Sequence, residues 1–167
     1  MTTQAVIALG ANLGERAATR AAAAEELGNL PGTTLRALSS LYESAAVKPY
    51  GVDPSAPEYL NAVALVETDL SPEQLLQELA ALELRFGRVR DERWGDRTLD
   101  LDIITYGQVQ QADSHLTLPH PRAHERSFVL VPWLELDPLA ELPRGTVADL
   151  AANLAHEVRP FEAKAVN

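Results

Sequence analysis

Cysteine is absent from this sequence, which excludes a disulfide framework, a thiolate nucleophile and any structural zinc site built on Cys. Positive charge is scarce. Fourteen Lys and Arg stand against 24 Asp and Glu, a formal net charge of −10, which argues against nucleic acid or an acidic membrane surface as a partner. Long hydrophobic runs are missing too. The apolar run Ala5–Leu9 is too short for a signal peptide or a span, and no basic residue precedes Arg16, so the expected location is the cytoplasm. Apart from Ala21–Ala24 there is no low-complexity stretch or repeat. With 167 residues and 46% hydrophobic content, the chain is expected to form one domain over 1–167, large enough for a real core.

The little positive charge there is has been gathered in one place. Five of the fourteen basic residues, Arg85, Arg88, Arg90, Arg93 and Arg97, fall within thirteen positions. Directly after them comes L-D-L-D-I-I-T, in which Leu99, Leu101 and Ile103 alternate with Asp100 and Asp102. On a strand the apolar residues share one face and the two aspartates the other, their bases roughly 7 Å apart. Adjacent carboxylates repel unless a proton or cation lies between them. With an arginine-rich loop beside them, they suit a divalent metal and a polyphosphate. The simpler reading is the solvated face of an edge strand, neutralised by nearby arginines. Against it, the tract is apolar enough for a central strand. Trp94, lacking apolar neighbours in sequence, is free to pack on a ligand or close a lid.

Along the chain, Gln4–Leu9 reads as a buried first strand. G-A-N-L-G (10–14) is a strand-to-helix turn without the Lys-Ser/Thr of a P-loop. An alanine-rich helix follows, closed by Gly28 at the position after its last turn. Thr33–Tyr42 reads as one strand with mixed faces, and Ala45–Pro57 as a long loop of the kind that forms lids or binding loops. Tyr59–Glu67 returns as a strand with Tyr59, Asn61, Val63 and Leu65 on one face. Asn61 there is either a satisfied polar group near a strand end or a reader of a ligand. Ser71, Pro72 and Gln74 form a capping box for a second helix, with Leu75, Leu79, Leu82 and Phe86 as its core face and Gly87 as its stop. Two prolines hold His120 on stiff, extended backbone. Ser127–Leu136 is a third helix, in which Pro132 is tolerated only in the first turn. Thr146 and Asp149 cap a short last helix.

The order strand, helix, strand, strand, helix, strand predicts an α+β fold. Specifically, it predicts a ferredoxin-like α/β sandwich with a βαββαβ core, an antiparallel sheet with helices on one face, and extra C-terminal strands and helices. The first and fourth strands should be neighbours or near-neighbours at its centre.

Four motifs in order, G-A-N-L-G, Y-L-N-A-V, G-R-V-R…R-W-G-D-R-T-L-D-L-D-I-I and L-T-L-P-H-P-R-A-H-E-R-S-F, resemble those of the 6-hydroxymethyl-7,8-dihydropterin pyrophosphokinase family. They span Ala5 to about Pro138. The resemblance implies transfer of diphosphate from ATP to the pterin hydroxymethyl oxygen with release of AMP, a step of tetrahydrofolate biosynthesis. By that likeness Asp100 and Asp102 bind two Mg²⁺ ions brought with ATP. Arg88, Arg97, Asp100 and Asp102 form the catalytic set, with Asp100 also a candidate to accept the hydroxyl proton. ATP falls to Arg88, Arg93, Arg97, Ile103, Leu116, Thr117, His120 and Arg126. The pterin falls to Ser44, Val47, Tyr59, Asn61, Trp94, Asp100 and Phe128, with Tyr59 and Phe128 stacking and the Asn61 amide reading the ring edge. Arg90 and Trp94 belong to a mobile loop. Pro121 and His115 depart from residues that some members place against ATP. The implied partners are ATP and the pterin alone, with no nucleic acid or membrane, and a monomer.

Two rivals remain open on sequence. A D-x-D metal site also serves nucleotide-sugar glycosyltransferases, which need a larger domain. A ferredoxin-like domain can also be a non-catalytic pterin or nucleotide sensor.

Overall fold

A computed structural model describes residues 2–11, 16–44, 47–48, 51–52, 59–87, 99–154 and 158–160. In chain order the elements are β1 (Thr3–Ala11), α1 (Arg16–Gly28), β2 (Thr33–Leu38), β3 (Tyr42–Ser44), β4 (Val47–Lys48), β5 (Gly51–Val52), β6 (Tyr59–Thr68) and α2 (Pro72–Gly87). They continue with β7 (Asp100–Tyr106), β8 (Gln111–Ala112), β9 (Thr117–Leu118), a 3₁₀ turn (Ala123–Glu125) and α3 (Ser127–Leu136). The remaining elements are β10 (Glu141–Leu142), β11 (Gly145–Thr146), α4 (Val147–Ala152) and β12 (Arg159–Pro160).

The main sheet runs β12–β3–β6–β1–β7, with β2 also on β6, and its pairings are antiparallel. β6 is the axis. One edge is matched along its length by β1, from Thr3↔Thr68 to Ala11↔Leu60. The other edge is shared end to end by β2 and β3. The first and fourth sequence strands (β1 and β7) are neighbours, as expected, but β7 is the outermost described strand on its side rather than central. Its outer edge is met by other groups: Glu83 accepts from the Leu101 N–H at 2.8 Å, and the His120 N–H donates to the Ile104 carbonyl at 2.8 Å.

Helices cover both faces, which corrects the expectation of one. Ala5, Ile7 and Leu9 of β1, Ala64 and Val66 of β6, and Leu101 and Ile103 of β7 pack with Leu27 of α1 and Leu75, Leu79 and Leu82 of α2. Val6, Val63, Leu65 and Ile104 pack on the opposite face with Val129, Leu130 and Trp133 of α3 and Val147 and Ala151 of α4. The extra helices follow from apolar residues on alternate positions of both faces of β1 and β6. A strand pair apolar on both sides must be covered on both sides.

Local signals set most boundaries. The capping box of α2 is reciprocal: the Gln74 N–H donates to Ser71 Oγ (3.1 Å) and the Ser71 N–H to Gln74 Oε1 (2.9 Å). The Asp149 N–H donates to Thr146 Oγ1 at 3.1 Å and caps α4. Three expectations change. Gly28 is the last residue of α1 and has no positive φ; a Cβ there would stand 3.4 Å from Leu35 Cβ, so it lets helix and strand approach. The left-handed turn comes instead at Gly32 (φ 58°), where a Cβ would collide with the Asp69 carboxylate. The single strand Thr33–Tyr42 is broken at Ser39, whose Oγ accepts the Val63 N–H (2.9 Å) in place of a ladder carbonyl. Pro132 sits inside α3, beyond its first turn. Lacking an N–H, it breaks one bond of the helix, and burial in the α3 core holds the helix together regardless.

Candidate functional site

The candidate site lies on the sheet face that α3 covers. Register puts Tyr42 opposite Asn61, Asn61 opposite Gly10, and Gly10 opposite Asp100. One row of four residues therefore crosses β3, β6, β1 and β7, and residues directly opposite in antiparallel strands share a face. The next row holds Asp102 opposite Ala8 and Ala8 opposite Val63. Val63 lies in the α3 core, which identifies the face. Gly10 on β1 puts no side chain between Asp100 and Asn61, whereas Ala8 in the next row packs against the α3 core. The fit at Gly10 is close: a Cβ there would stand 3.1 Å from Asn61 Oδ1.

The aspartates are held by their own strand. Leu99, Leu101 and Ile103 are buried in the α1/α2 core, so Asp100 and Asp102 face the other way, half-buried and exposed respectively. A bulge follows. Pairing jumps from Ile7↔Ile103 to Val6↔Thr105, leaving Ile104 as the extra residue, its side chain in the α3 core. Glu83, from the last turns of α2, bonds the backbone between the aspartates through the Leu101 N–H. The sequence gives no hint of this contact, because Glu83 stands on a helix where a surface carboxylate is unremarkable.

His120 reaches the same face on the segment after the cis Leu118–Pro119 peptide. Its Nδ1 accepts the Arg122 N–H at 3.1 Å, so in the neutral imidazole the proton belongs on Nε2. Burial pushes its pKa below the ordinary value. The Asp102 carboxylate opposes that shift, and the Arg126 and Arg122 guanidiniums add to it. Asp102, His120 and Arg126 thus share one electrostatic neighbourhood. Arg126 in turn stacks on Phe128, its Cζ 5.6 Å from the ring centroid, at the start of α3.

Asp100, Asp102, Asn61, His120, Arg126 and Phe128 are therefore brought to one face. Tyr59 pairs with Ser44 two positions from Asn61, and Val47 lies on the β4–β5 hairpin. Thr117 and Leu116 are half-buried by β9, with Leu116 packed on the α1/α2 core. Ile103 is not available as a side chain. It is 3% exposed within that core, on the face opposite the aspartates, so any ligand contact there falls to its backbone. His115 is exposed and its N–H donates to Asp113 Oδ1. Arg88, Arg90, Arg93, Trp94 and Arg97 lie outside the described residues.

As chemistry, two carboxylates on a rigid strand suit a hard cation. Among the described residues, no group of three or more His, Asp or Glu side chains could hold a metal. The remaining ligands of such an ion would be water or phosphate oxygens, the usual arrangement for Mg²⁺ at a nucleotide. His120 and Arg126 supply donors beside it. Asn61 stands on this face across Gly10 from Asp100, and Phe128 lies in the first turn of the helix that covers the face.

The family model described as 7,8-dihydro-6-hydroxymethylpterin-pyrophosphokinase (HPPK) matches residues 6–138. The chain is 45% identical over 143 residues to the 2-amino-4-hydroxy-6-hydroxymethyldihydropteridine pyrophosphokinase of Haemophilus influenzae, covering 86% of this chain and 87% of that one. It is 39% identical over 152 residues to the enzyme of the same name from Methylorubrum extorquens, covering 91% and 94%. Among solved structures, the wild-type Plasmodium falciparum HPPK-DHPS with pterin and p-hydroxybenzoate superposes with a TM-score of 0.72 at 14% identity. That match covers 96% of this chain and 46% of the Plasmodium chain, so this chain spans a little under half its length. At that identity the likeness speaks for fold.

Proposed function

The chain belongs to the 7,8-dihydro-6-hydroxymethylpterin-pyrophosphokinase family, and from that premise we propose how its own residues divide the reaction. It is a pyrophosphokinase of folate biosynthesis, with ATP as co-substrate and 6-hydroxymethyl-7,8-dihydropterin as acceptor. The observation that carries the assignment to residues is the row Asp100–Gly10–Asn61 with Asp102 one row on, which sets metal-binding carboxylates and an amide on one face with Gly10 between Asp100 and Asn61.

The pterin lies over Gly10. The Asn61 amide pairs with its ring edge, donor to acceptor and acceptor to donor, and Phe128 and Tyr59 flank its faces. Ser44 and Val47 add backbone contacts. Asp100 and Asp102 would hold the two Mg²⁺ ions that arrive with ATP, which when bound would supply neutralisation of the phosphate charge. The His120 Nε2–H and the Arg126 guanidinium bond phosphate oxygens from one side, and Arg88, Arg93 and Arg97 from the other. Thr117 and the backbone at Ile103 and Leu116 border the adenine. Arg90 and Trp94 close over the pair. The hydroxymethyl oxygen forms a bond to the β-phosphorus as the bond from that phosphorus to the α-phosphate oxygen breaks. AMP leaves with the bonding pair, and Asp100 takes the hydroxyl proton.

The reading keeps residues 1–167 as one ferredoxin-like domain, whose strand order β7–β1–β6–β2/β3 supports that description. It also keeps the chain a cytoplasmic monomer, and the net charge of −10 supports the part of the reading that leaves out nucleic acid and acidic membranes. No helix among the described residues is long and apolar enough to cross a membrane.

The test is AMP release from Mg-ATP and 6-hydroxymethyl-7,8-dihydropterin by wild type beside Asp102→Ala. Pterin-dependent AMP should form and fall by at least about 10³-fold in the variant, since the lost group is part of the machinery that carries the transition-state charge. ADP in place of AMP would refute the mechanism. Tight pterin binding without turnover in wild type would make the chain a sensor.

A further inference from the structure

Beyond Asn61 the Asp100–Gly10–Asn61 row continues to Tyr42 on β3 and then to Pro160 on β12; neither the motifs nor the site reading uses Tyr42. Directly opposite positions on antiparallel strands bring side-chain bases to about 5 Å, so Tyr42 and Asn61 leave the sheet side by side on one face. Its hydroxyl donates to Glu135 Oε1 at 2.7 Å. The same carboxylate accepts the Ser40 N–H (3.0 Å) and the Ser40 hydroxyl (3.3 Å) on Oε2. One α3 side chain thus gathers three donors from the segment that becomes β3. Burial, then the Glu135 bond and charge, push the Tyr42 pKa up to about 12, so the phenol stays a donor across the working range of pH.

Glu135 stands seven residues after Phe128 on α3. Seven residues are close to two helical turns, which puts both on one side of the helix roughly 10 Å apart. α3 therefore carries the ring that would stack on the pterin and, two turns on, the carboxylate that fastens it to β3.

We propose that Tyr42 is the side wall of the pterin slot and that Glu135 is a positioning residue, acting through Tyr42 and Ser40 to fix the slot's width between Asn61 and Phe128. The inference rests on the reading that Asn61 and Phe128 contact the pterin. It assigns discrimination for a flat bicyclic heterocycle to a contact on the far side of the row from the metal carboxylates. Widening the slot should weaken the pterin and leave the nucleotide alone.

The experiment measures Kd for the pterin (in the presence of a non-hydrolysable Mg-ATP analogue) and Kd for that analogue alone. Wild type, Tyr42→Phe, Glu135→Ala, the double variant and Asn61→Ala are compared, with Tm for each. Loss of one well-made hydrogen bond to a charged acceptor corresponds to a pterin Kd raised about 5- to 20-fold in each single variant. The analogue Kd should stay within about twofold. The double variant should be no worse than the Glu135 variant alone, because that variant already removes the acceptor of the Tyr42 hydroxyl. Unchanged pterin Kd, equal weakening of both ligands, or fully additive effects would overturn the proposal. If Asn61→Ala loses the pterin while the clamp variants keep it, the pocket reading stands and this inference alone falls. If Asn61→Ala binds like wild type, the pocket reading fails and takes the inference with it.

Discussion

A methyl group added at Gly10 would test the floor of the site with the smallest possible change. The new Cβ would stand 3.1 Å from Asn61 Oδ1, a few tenths of an ångström inside ordinary contact. Gly10 has no positive φ, so alanine is conformationally admissible, and replacing a strand glycine recovers roughly 0.5–1 kcal/mol of chain entropy. Pushing the Asn61 side chain off its preferred rotamer costs about 0.5–1.5 kcal/mol. The two nearly cancel, so Gly10→Ala should leave stability within about 1 kcal/mol of wild type. Binding has no such compensation. Asn61 is 7% exposed, with little room to retreat, and the methyl stands between the amide and Asp100. Loss of one amide pairing plus the intrusion corresponds to a pterin Kd raised about tenfold or more. Urea unfolding supplies the first quantity and calorimetric titration of the pterin the second. A variant as stable as wild type that binds the pterin equally well would refute the placement of the ligand over Gly10. A variant several kcal/mol less stable would refute the account of the floor itself.

Two further outcomes follow from contacts away from the ligand. Glu83→Ala leaves the buried Leu101 N–H without its carboxylate and frees the strand between the aspartates. The Mg²⁺ concentration for half-maximal rate should rise about tenfold or more, and Glu83→Gln, which keeps an acceptor oxygen, should restore most of it. Raised from 10.0 to about 12 in the fold, the Tyr42 pKa makes a stabilising contribution that is complete below pH 10 and lost as pH rises through 12. Tyr42→Phe should abolish that part of the alkaline loss, read as a smaller difference from wild type in urea midpoint at pH 11.5 than at pH 8; a constant difference would exclude it.

Much of this was legible in the chain because it is written locally. Ser71 and Gln74 are three residues apart and cap α2 as their spacing requires. Leu99, Leu101 and Ile103 turn their aspartate neighbours to the other face by the period of a strand alone. The bounds of α3, Ser127–Leu136, agree with its pattern. What sequence reading missed is nonlocal. The break at Ser39 needs Val63, 24 residues away. The Glu135 clamp joins residues 93 and 95 apart, and Glu83 reaches Leu101 across the arginine segment. β7 reads as a central strand because it is apolar, yet its burial comes from helix packing on the sheet face and from side groups on its edge rather than from a further described strand. Pro132 misleads because propensity counts the lost helix bond and not the core that buries the residue.

The edge of β7 has a consequence outside the reaction. An outermost strand with free N–H and C=O groups is a template for a strand of another molecule. Here the Glu83 carboxylate occupies the Leu101 donor and the His120 backbone occupies the Ile104 acceptor, a charge and a proline-flanked loop where an incoming chain would have to hydrogen-bond. The groups that aim the aspartates also deny the sheet to its own copies, so loosening either one should show first in a concentrated solution, as self-association, before it shows in the folded monomer's spectrum.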